Sequence, residues 1–390
     1  MNPFKPLIKK ILNRDEKWCK SMGFVNPYID PFKYHLHGSV PVYDGEAYKK
    51  YPKHNFVYDK LWIAKSQNLK CGTLENLIEN PEKAEYPIFI KPRWGHLSAT
   101  SKNCFKVKNY NQLSKYKNFD HMMWSDFVDG REGMTDFIIL NGNILHQITY
   151  IYSDKQHGFT DSWKYISSKT PAPTKIKNWV QKNLDNFTGV VNVQYRNNTI
   201  IEVGLRLARS GAYIVVAQNP AILRNIYNVV DKNFWDFNLQ QQLDFEPYYA
   251  FKCVINIPIL YLWPQYVLDL LVKVDKKFYE YYFEPLGGDG MVFLQFMHSN
   301  FDEGMKLKKK IELLFTITQF IFIILFTLLI SVIFTKKKIK YVLLIFIILL
   351  YLTRFLNPHA VSYNLYKSQK QSLFGGGPNK SPDDILLYNI

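Results

Sequence analysis

Val191 to Arg206 reads VNVQYRNNTIIEVGLR, and the fold turns on this stretch. Polar and apolar residues alternate on both sides of Asn197-Asn198. Side chains of a strand point to opposite faces in turn, so Val190–Tyr195 and Thr199–Val203 read as two strands of one hairpin. Asparagine accepts the left-handed backbone that a tight turn needs. Gln194 and Glu202 share a face only if the register across the turn pairs them. A hard divalent cation seeks oxygen ligands from adjacent strands, and this hairpin offers them. Arg206, four residues after Glu202, suits bidentate contact with a phosphate or a carboxylate. The competing reading of the hairpin is a structural carboxylate paired with Arg206.

Further hairpins and strands precede it. Thr135–Leu140 and Ile144–Tyr152 flank Asn141-Gly142, a strong two-residue hairpin signal. Met122–Val128 reads as a strand ending at Asp129-Gly130. Within Ser125–Glu132, SDFVDGRE, Glu132 stands where a carboxylate can accept from ribose hydroxyls, or where an ordinary edge turn leaves it solvated. Tyr86–Lys91, YPIFIK, reads as a strand emptying into a loop of Pro92, Arg93, Trp94, Gly95, His96, Ser98, Thr100 and Ser101. A lysine ending a strand before such a loop can wrap phosphate oxygens, although a solvated lysine is the plainer reading; no Walker A pattern occurs. Cys104–Val107 resumes a strand, and Tyr110–Tyr116 looks helical. Tyr58–Leu69, YDKLWIAKSQNL, places Leu61, Ile63, Ala64 and Leu69 at near-helical spacing. Residues 1–50 are rich in Pro, Tyr and His and show weak periodicity. Helices mixed with hairpin-linked strands predict an α+β body.

Taken together and in this order, YDKLWIAKSQNL, YPIFIKPRWGHLSATS, MWSDFVDGRE and VNVQYRNNTIIEVGLR resemble the ATP-grasp superfamily over roughly residues 55–215. The resemblance implies an ATP-grasp-like fold and an ATP-dependent ligase that activates a carboxylate as an acyl phosphate, for attack by an amine or a thiol. It implies ATP and Mg²⁺ as cofactors and a small carboxylate as substrate. By the same resemblance Lys60, Lys91 and Ser98 meet the nucleotide phosphates, and Asp126, Phe127 and Val128 meet the base. Glu132 meets the ribose, Gln194 and Glu202 hold the metal, and Arg206 and Arg209 serve as catalytic cations. Two positions depart from the pattern. Gly204 stands where the family has Asn, with Asn192 as a candidate replacement, and Gln194 stands where a carboxylate is common. A site with fewer negative ligands holds Mg²⁺ less firmly. The alternative is a non-catalytic membrane or virion structural protein with a degenerate ATP-grasp domain.

Composition bounds the rest. The chain has 390 residues, of which 47% are hydrophobic, enough for packed cores and not for a disordered protein. Lys+Arg 49 against Asp+Glu 33 leaves +16. Eight of those charges flank one apolar run (Lys306, Lys308, Lys309, Lys310, then Lys336, Lys337, Lys338, Lys340), and no nucleic-acid motif accompanies them, so no nucleic-acid partner is expected. Such lysines suit anionic headgroups. Cys19, Cys71, Cys104 and Cys253 form no CxxC pair, which argues against a zinc ribbon and a disulfide framework. The nine histidines show no HExxH spacing. Residues 1–14 lack the apolar core of a secretory signal.

Leu313–Phe334 is 22 residues without a charge, long enough for a hydrocarbon core of about 30 Å. A second apolar run reaches Leu356 by accepting Arg354. The expected organisation is an N-terminal region over 1–85, a nucleotide-binding region over 86–305, a membrane anchor over 306–358 and a flexible polar tail over 359–390. The anchor is expected as a transmembrane helical hairpin, spans 313–334 and 339–356, with a half-inserted second segment as the alternative. The lysines balance across the first span, so the positive-inside rule chooses no direction. The need for ATP places the soluble body on the cytosolic side. Abundant Lys, Asn, Ile, Tyr and Phe resemble the output of an AT-rich genome, so the membrane is a viral or host-cell one in this reading.

Overall fold

The alternating Val191, Val193 and Tyr195 need an apolar surface to cover them. An antiparallel sheet with a helix on one face supplies it. The computed structural model describes residues 36, 38–97, 103–153, 155–156, 160–208, 219–255, 279–280, 284–285 and 291–333. Over these the chain forms two compact units, one of residues 36–155 with 163–248 and one of 156–162 with 249–333. The helices are α1 Asp44–Lys50, α2 Lys60–Ser66, α3 Leu74–Glu79, α4 Thr174–Asn183, α5 Pro220–Lys232 and α6 Phe301–Ile333. The strands are β1 Cys71–Thr73, β2 Ile88–Pro92, β3 Phe105–Val107, β4 Met122–Asp126, β5 Glu132–Leu140, β6 Asn143–Tyr152, β7 Lys155–Gln156, β8 Thr160–Asp161, β9 Trp163–Ser167, β10 Gly189–Arg196, β11 Thr199–Gly204, β12 Tyr248–Ile255, β13 Tyr279–Glu280, β14 Glu284–Pro285 and β15 Met291–His298. The described chain is therefore α+β.

In the first unit, β11, β10, β5, β6 and β9 lie side by side, each pair antiparallel. The β5–β6 turn has left-handed backbone at Asn141 (φ 49°) and Gly142 (φ 77°), as a primed two-residue hairpin requires. A Cβ at Gly142 would stand 1.7 Å from the Asp185 carbonyl oxygen, so only glycine fits there. Val191, Val193, Tyr195, Phe137 and Val203 pack with Ile176, Trp179 and Val180 of α4 as one core. Smaller β1, β4, β2 and β3 form a separate four-stranded sheet. Its core joins Ile88, Ile90, Val107 and Trp124 to Leu74 and Leu77 of α3. The helical expectation over Tyr110–Tyr116 is met by a 3₁₀ helix that buries Leu113.

In the second unit β12 pairs antiparallel with β15. Phe251 stacks on Phe296 at 5.3 Å between centroids, and Phe293 on Phe315 of α6 at 4.1 Å. Val292–Met297 of β15 is thus core. One expectation needs correction here. Lys308 is buried against Glu312, which also accepts from the Val254 N–H at 2.8 Å, so Lys308 is not a headgroup ligand. The boundary drawn at 305/306 falls inside the continuous α6. Among the described residues no helix is long and apolar enough to cross a membrane. In α6 beyond Ile317, side chains are described only for Phe320, Ile321, Ile324 and Leu328. The second run 339–356 and the tail lie outside the described residues.

Candidate functional site

The face of the β5–β10–β11 sheet opposite the α4 core is polar, and its register sets residues in rows. Asp136 of β5 pairs with Asn192 of β10, which pairs with Gly204 of β11. In the next row on this face Met134, Gln194 and Glu202 stand side by side, so the register pairs Gln194 directly with Glu202. Beyond them Glu132 pairs with Arg196. Gln194 donates through Nε2 to Glu132 Oε1, and Arg196 Nη2 lies 3.3 Å from Glu132 Oε2. Arg196 Nη1 also donates to the Val128 carbonyl at 3.2 Å.

Two lysines from other elements reach this face. Asp59 caps α2 by accepting from the Leu61 N–H at 3.0 Å and holds Arg93 bidentately at 2.9 and 2.6 Å. The Lys60 N–H bonds the Arg93 carbonyl at 2.9 Å. The start of α2 is thereby tied to the end of β2. Lys60, 4% exposed, then places Nζ 3.4 Å from Glu202 Oε2. Lys91, on β2, donates through Nζ to the Ile201 carbonyl at 2.7 Å. Burial, with Lys60 nearby, lowers the Lys91 pKa to about 8, and Glu202 only partly offsets this.

A third group closes the C-terminal end of β11. Asp44, first residue of α1, holds Arg206 through Oδ2 at 2.6 Å. Burial would lower the guanidinium pKa, but Asp44 overrides it and the net shift is upward. The expected alternative, Glu202 paired with Arg206, is thus replaced by two pairs: Glu202 with Lys60 and Arg206 with Asp44. Tyr58 accepts from the Leu205 N–H at 2.9 Å, and burial followed by the Asp44 charge raises its pKa. His96 stacks on Tyr48 at 3.8 Å, and burial lowers its pKa to about 4, so the ring is neutral at pH 7. Asp136 is buried and accepts from Tyr150 Oη at 2.7 Å, Asn192 Nδ2 at 2.7 Å and the Ala208 N–H at 3.0 Å.

The structure thus brings Lys60, Lys91, Glu132, Gln194, Glu202 and Arg206 to one region of the first unit. Ser98 and Arg209 lie outside the described residues. Asp126 is engaged with the Lys70 backbone, accepting from its N–H at 3.0 Å. The Phe127 N–H donates to Pro87 O at 3.3 Å, and Lys106 Nζ sits 3.7 Å over the Phe127 ring. The Val128 carbonyl is taken by Arg196. Asn192, the candidate replacement for an amide at 204, donates its NH₂ to Asp136 instead. Sequence reasoning missed Asp44, Tyr58, His96, Asp136 and Arg196. Arg196 and Asp136 were legible from alternation alone, since each lies an even number of residues from a site residue on its own strand. Asp44 was signalled only by Glu46, whose carboxylate accepts from the Val42 and Tyr43 N–H groups at 3.0 and 3.2 Å and starts α1.

Among the described residues no group of three or more His, Cys, Asp or Glu side chains converges as a metal centre. The oxygen donors on this face fit a cation that arrives with phosphate. Mg²⁺ bound in that way needs only one or two protein carboxylates, the phosphates and water filling the rest.

No protein-family model and no curated protein matches the chain. Among solved structures, the chain is similar to an L-amino acid ligase from Bacillus licheniformis at 13% identity, covering 77% of this chain and 82% of that one with a TM-score of 0.46. It is similar to an ATP complex of a carboxyaminoimidazole ribonucleotide synthase from Aspergillus clavatus at 12% identity, covering 67% and 73%, TM-score 0.48. It is also similar to a phosphoribosylamine–glycine ligase from Thermotoga maritima at 11% identity, covering 66% and 74%, TM-score 0.45.

Proposed function

We propose that the chain binds Mg-ATP on the polar face of the β10–β11 hairpin and acts as an ATP-grasp ligase. The supporting observation is the convergence of Lys60 and Lys91, from two separate elements, on the β11 backbone and carboxylate at Ile201–Glu202. Two ammonium groups beside a carboxylate suit phosphate oxygens that carry a divalent cation. In this reading Lys60 and Lys91 hold phosphate oxygens, Glu202 and Gln194 hold Mg²⁺, and residues 126–128 with Glu132 hold the base and ribose. A substrate carboxylate oxygen attacks the γ-phosphorus, the bond to ADP breaks, and an acyl phosphate forms. An amine or thiol then attacks the acyl carbon and releases phosphate. Mg²⁺ would neutralise charge on the phosphate oxygens, and Arg206 and Arg209 add cationic charge at the reacting end.

The reading includes a membrane anchor through 313–334 and 339–356, with the body on the cytosolic side. Leu313, Ile317, Phe320, Ile321, Ile324 and Leu328 recur at helical spacing and are exposed, and exposed Lys306, Lys309 and Lys310 precede them. Cysteine labelling of the full chain in sealed vesicles tests it. Labelling from the outside at a Cys placed in 336–340, with protection at one near Ser372, supports the hairpin; the opposite pattern rejects it.

Titration calorimetry of the full chain tests the nucleotide reading. Wild type should bind Mg-ATP, and Lys91→Ala should weaken binding by roughly 1–3 kcal/mol, as expected for a lost charged hydrogen bond. No heat from wild type, or unchanged affinity in the variant, refutes it. Gly204 favours a second reading, a non-catalytic membrane or virion structural protein with a degenerate ATP-grasp domain. ADP release, screened over amino acids and small peptides, separates the two.

A further inference from the structure

Gly204 has an ordinary strand backbone; it is not among the positive-φ glycines. Its missing side chain therefore answers to space rather than conformation. A Cβ built there would stand 2.8 Å from Asp44 Oδ1. That distance is close to the reach of an Asn carbonyl oxygen from its own Cβ. The Asp44 oxygen thus stands within side-chain reach of position 204, whose side chain would share the face of β11 with Glu202, two residues away. Arg206 occupies only Oδ2. Oδ1 is buried and has no hydrogen bond of ordinary geometry among the described residues, the Tyr58 hydroxyl being a weak neighbour of this carboxylate that a cation would displace. A buried carboxylate oxygen left open is costly unless something fills it. A second unpartnered group adjoins it: His96 is 6% exposed, feels both Asp44 and Lys60, and has neither ring nitrogen hydrogen-bonded.

We propose that Asp44, delivered from the start of α1, supplies the cation-ligating oxygen that residue 204 lacks, so that the site is Glu202, Gln194 and Asp44. This rests on the nucleotide reading above. The swap changes the site's character. A carboxylate in place of an amide restores negative charge that Gln194 leaves out, and it comes from an element some 160 positions away in sequence (204 − 44 = 160). The cations Lys60, Lys91 and Arg206 surround the donors, so the metal should bind well only with phosphate present.

The test measures ADP binding to the full chain with EDTA and with Mn²⁺, and the Mn²⁺ signal by electron paramagnetic resonance. The ratio of the two affinities is the metal increment. Asp44→Ala should cut the increment, a ratio that already divides out any change in the affinity in EDTA, at least about tenfold. Gly204→Asn alone should gain nothing, because Asp44 fills the space. Asp44→Ala with Gly204→Asn should regain most of the increment, the amide oxygen now standing where the carboxylate stood. A wild-type increment in Asp44→Ala, or no recovery in the double variant, overturns the proposal. If Asp44→Ala fails to fold because Arg206 is left unpaired, Asp44→Ala with Arg206→Met, which removes both partners of the pair, decides: an undiminished increment overturns the proposal and a reduced one supports it. Glu202→Gln separates the two levels. If it abolishes the increment and Asp44 variants do not, the Asp44 assignment alone falls. If wild type binds no ADP under either condition, the nucleotide reading falls and takes this proposal with it.

Discussion

Asp136 and Asp44 are carboxylates set against the same row of one sheet face, and the chain uses them in opposite ways. Asp136 is 1% exposed, and both its oxygens are taken by neutral donors: Tyr150, Asn192 and the Ala208 N–H. Burial pushes its pKa up to about 6 despite those bonds. Asp44 meets a full guanidinium on one oxygen, and its other oxygen, with the Tyr58 hydroxyl as a weak neighbour of the carboxylate, has no hydrogen bond of ordinary geometry. Hydrogen bonds from dipoles hold the polypeptide around Asp136, tying the segment after β11 back to β5 and β6. They do not fully repay the loss of water around the charge. Arg206 compensates Asp44 directly, so an oxygen can stay uncommitted. A saturated carboxylate reads as scaffold, and a half-saturated one reads as a place for a ligand.

The largest effect should come from breaking the saturated side. Asp136→Ala would leave a tyrosine hydroxyl, an asparagine amide and a backbone N–H buried without acceptors, each worth about 1–3 kcal/mol. A loss of about 3–5 kcal/mol in urea unfolding is expected. A loss under about 1 kcal/mol would mean that water replaces the carboxylate, and the contrast with Asp44 would fail.

The same group should give stability a pH dependence. Its folded pKa is about 6 against an ordinary 3.8, so the folded chain holds this proton more tightly than the unfolded chain. The resulting stabilisation, up to about 3 kcal/mol, is fully present below about pH 4 and is lost as pH rises through about 6. Unfolding of wild type and Asp136→Asn measured between pH 4 and 7 isolates it. Wild type should lose stability relative to the variant as pH rises, and parallel curves would show that Asp136 ionises normally.

On the open side, Lys91 sharpens the contrast through its proton. Burial and Lys60 bring it to about 8, so near pH 8 about half the chains lack this charge. Phosphate would favour the charged form, so nucleotide binding at pH 8 should take up part of a proton, and affinity should fall by up to about tenfold per pH unit above 8. Calorimetry at pH 8 in buffers of different ionisation enthalpy measures the uptake. Lys91→Arg, charged throughout, should abolish it.

Much of this was legible in the sequence. The two-residue period of Val191–Arg206 fixed which residues face the core, and Asn141-Gly142 fixed a turn, because both signals are local. The register joining Gln194 to Glu202 was left open by the residues alone, and the structure supplies it. Beyond the helix start that Glu46 marks, Asp44 was not legible, because residues 1–50 show weak periodicity and α1 is only seven residues long. Its role depends on a contact with Gly204 that no spacing along the chain encodes. Lys308 shows the converse failure: within a lysine cluster, burial of one member against Glu312 depends on packing with β12 and β15, which charge counting cannot see.

The smallest effect should come from the pair that looks most like a catalytic ion pair. Lys60 is 4% exposed, but the Glu202 side chain is 39% exposed and their atoms lie 3.4 Å apart. Solvent on the glutamate side screens the attraction, and exposed pairs are commonly worth about 0.2–1 kcal/mol. A double-mutant cycle with Lys60→Met and Glu202→Gln, read by urea unfolding without nucleotide, should give a coupling of about 0.5 kcal/mol. That is far below the cost of opening the Asp136 cluster. A small coupling is what a ligand site requires, since phosphate and metal must separate the two side chains before they can use them. A coupling above about 2 kcal/mol would mark Lys60 and Glu202 as a second scaffold, locked like Asp136, and would count against their role in holding a nucleotide.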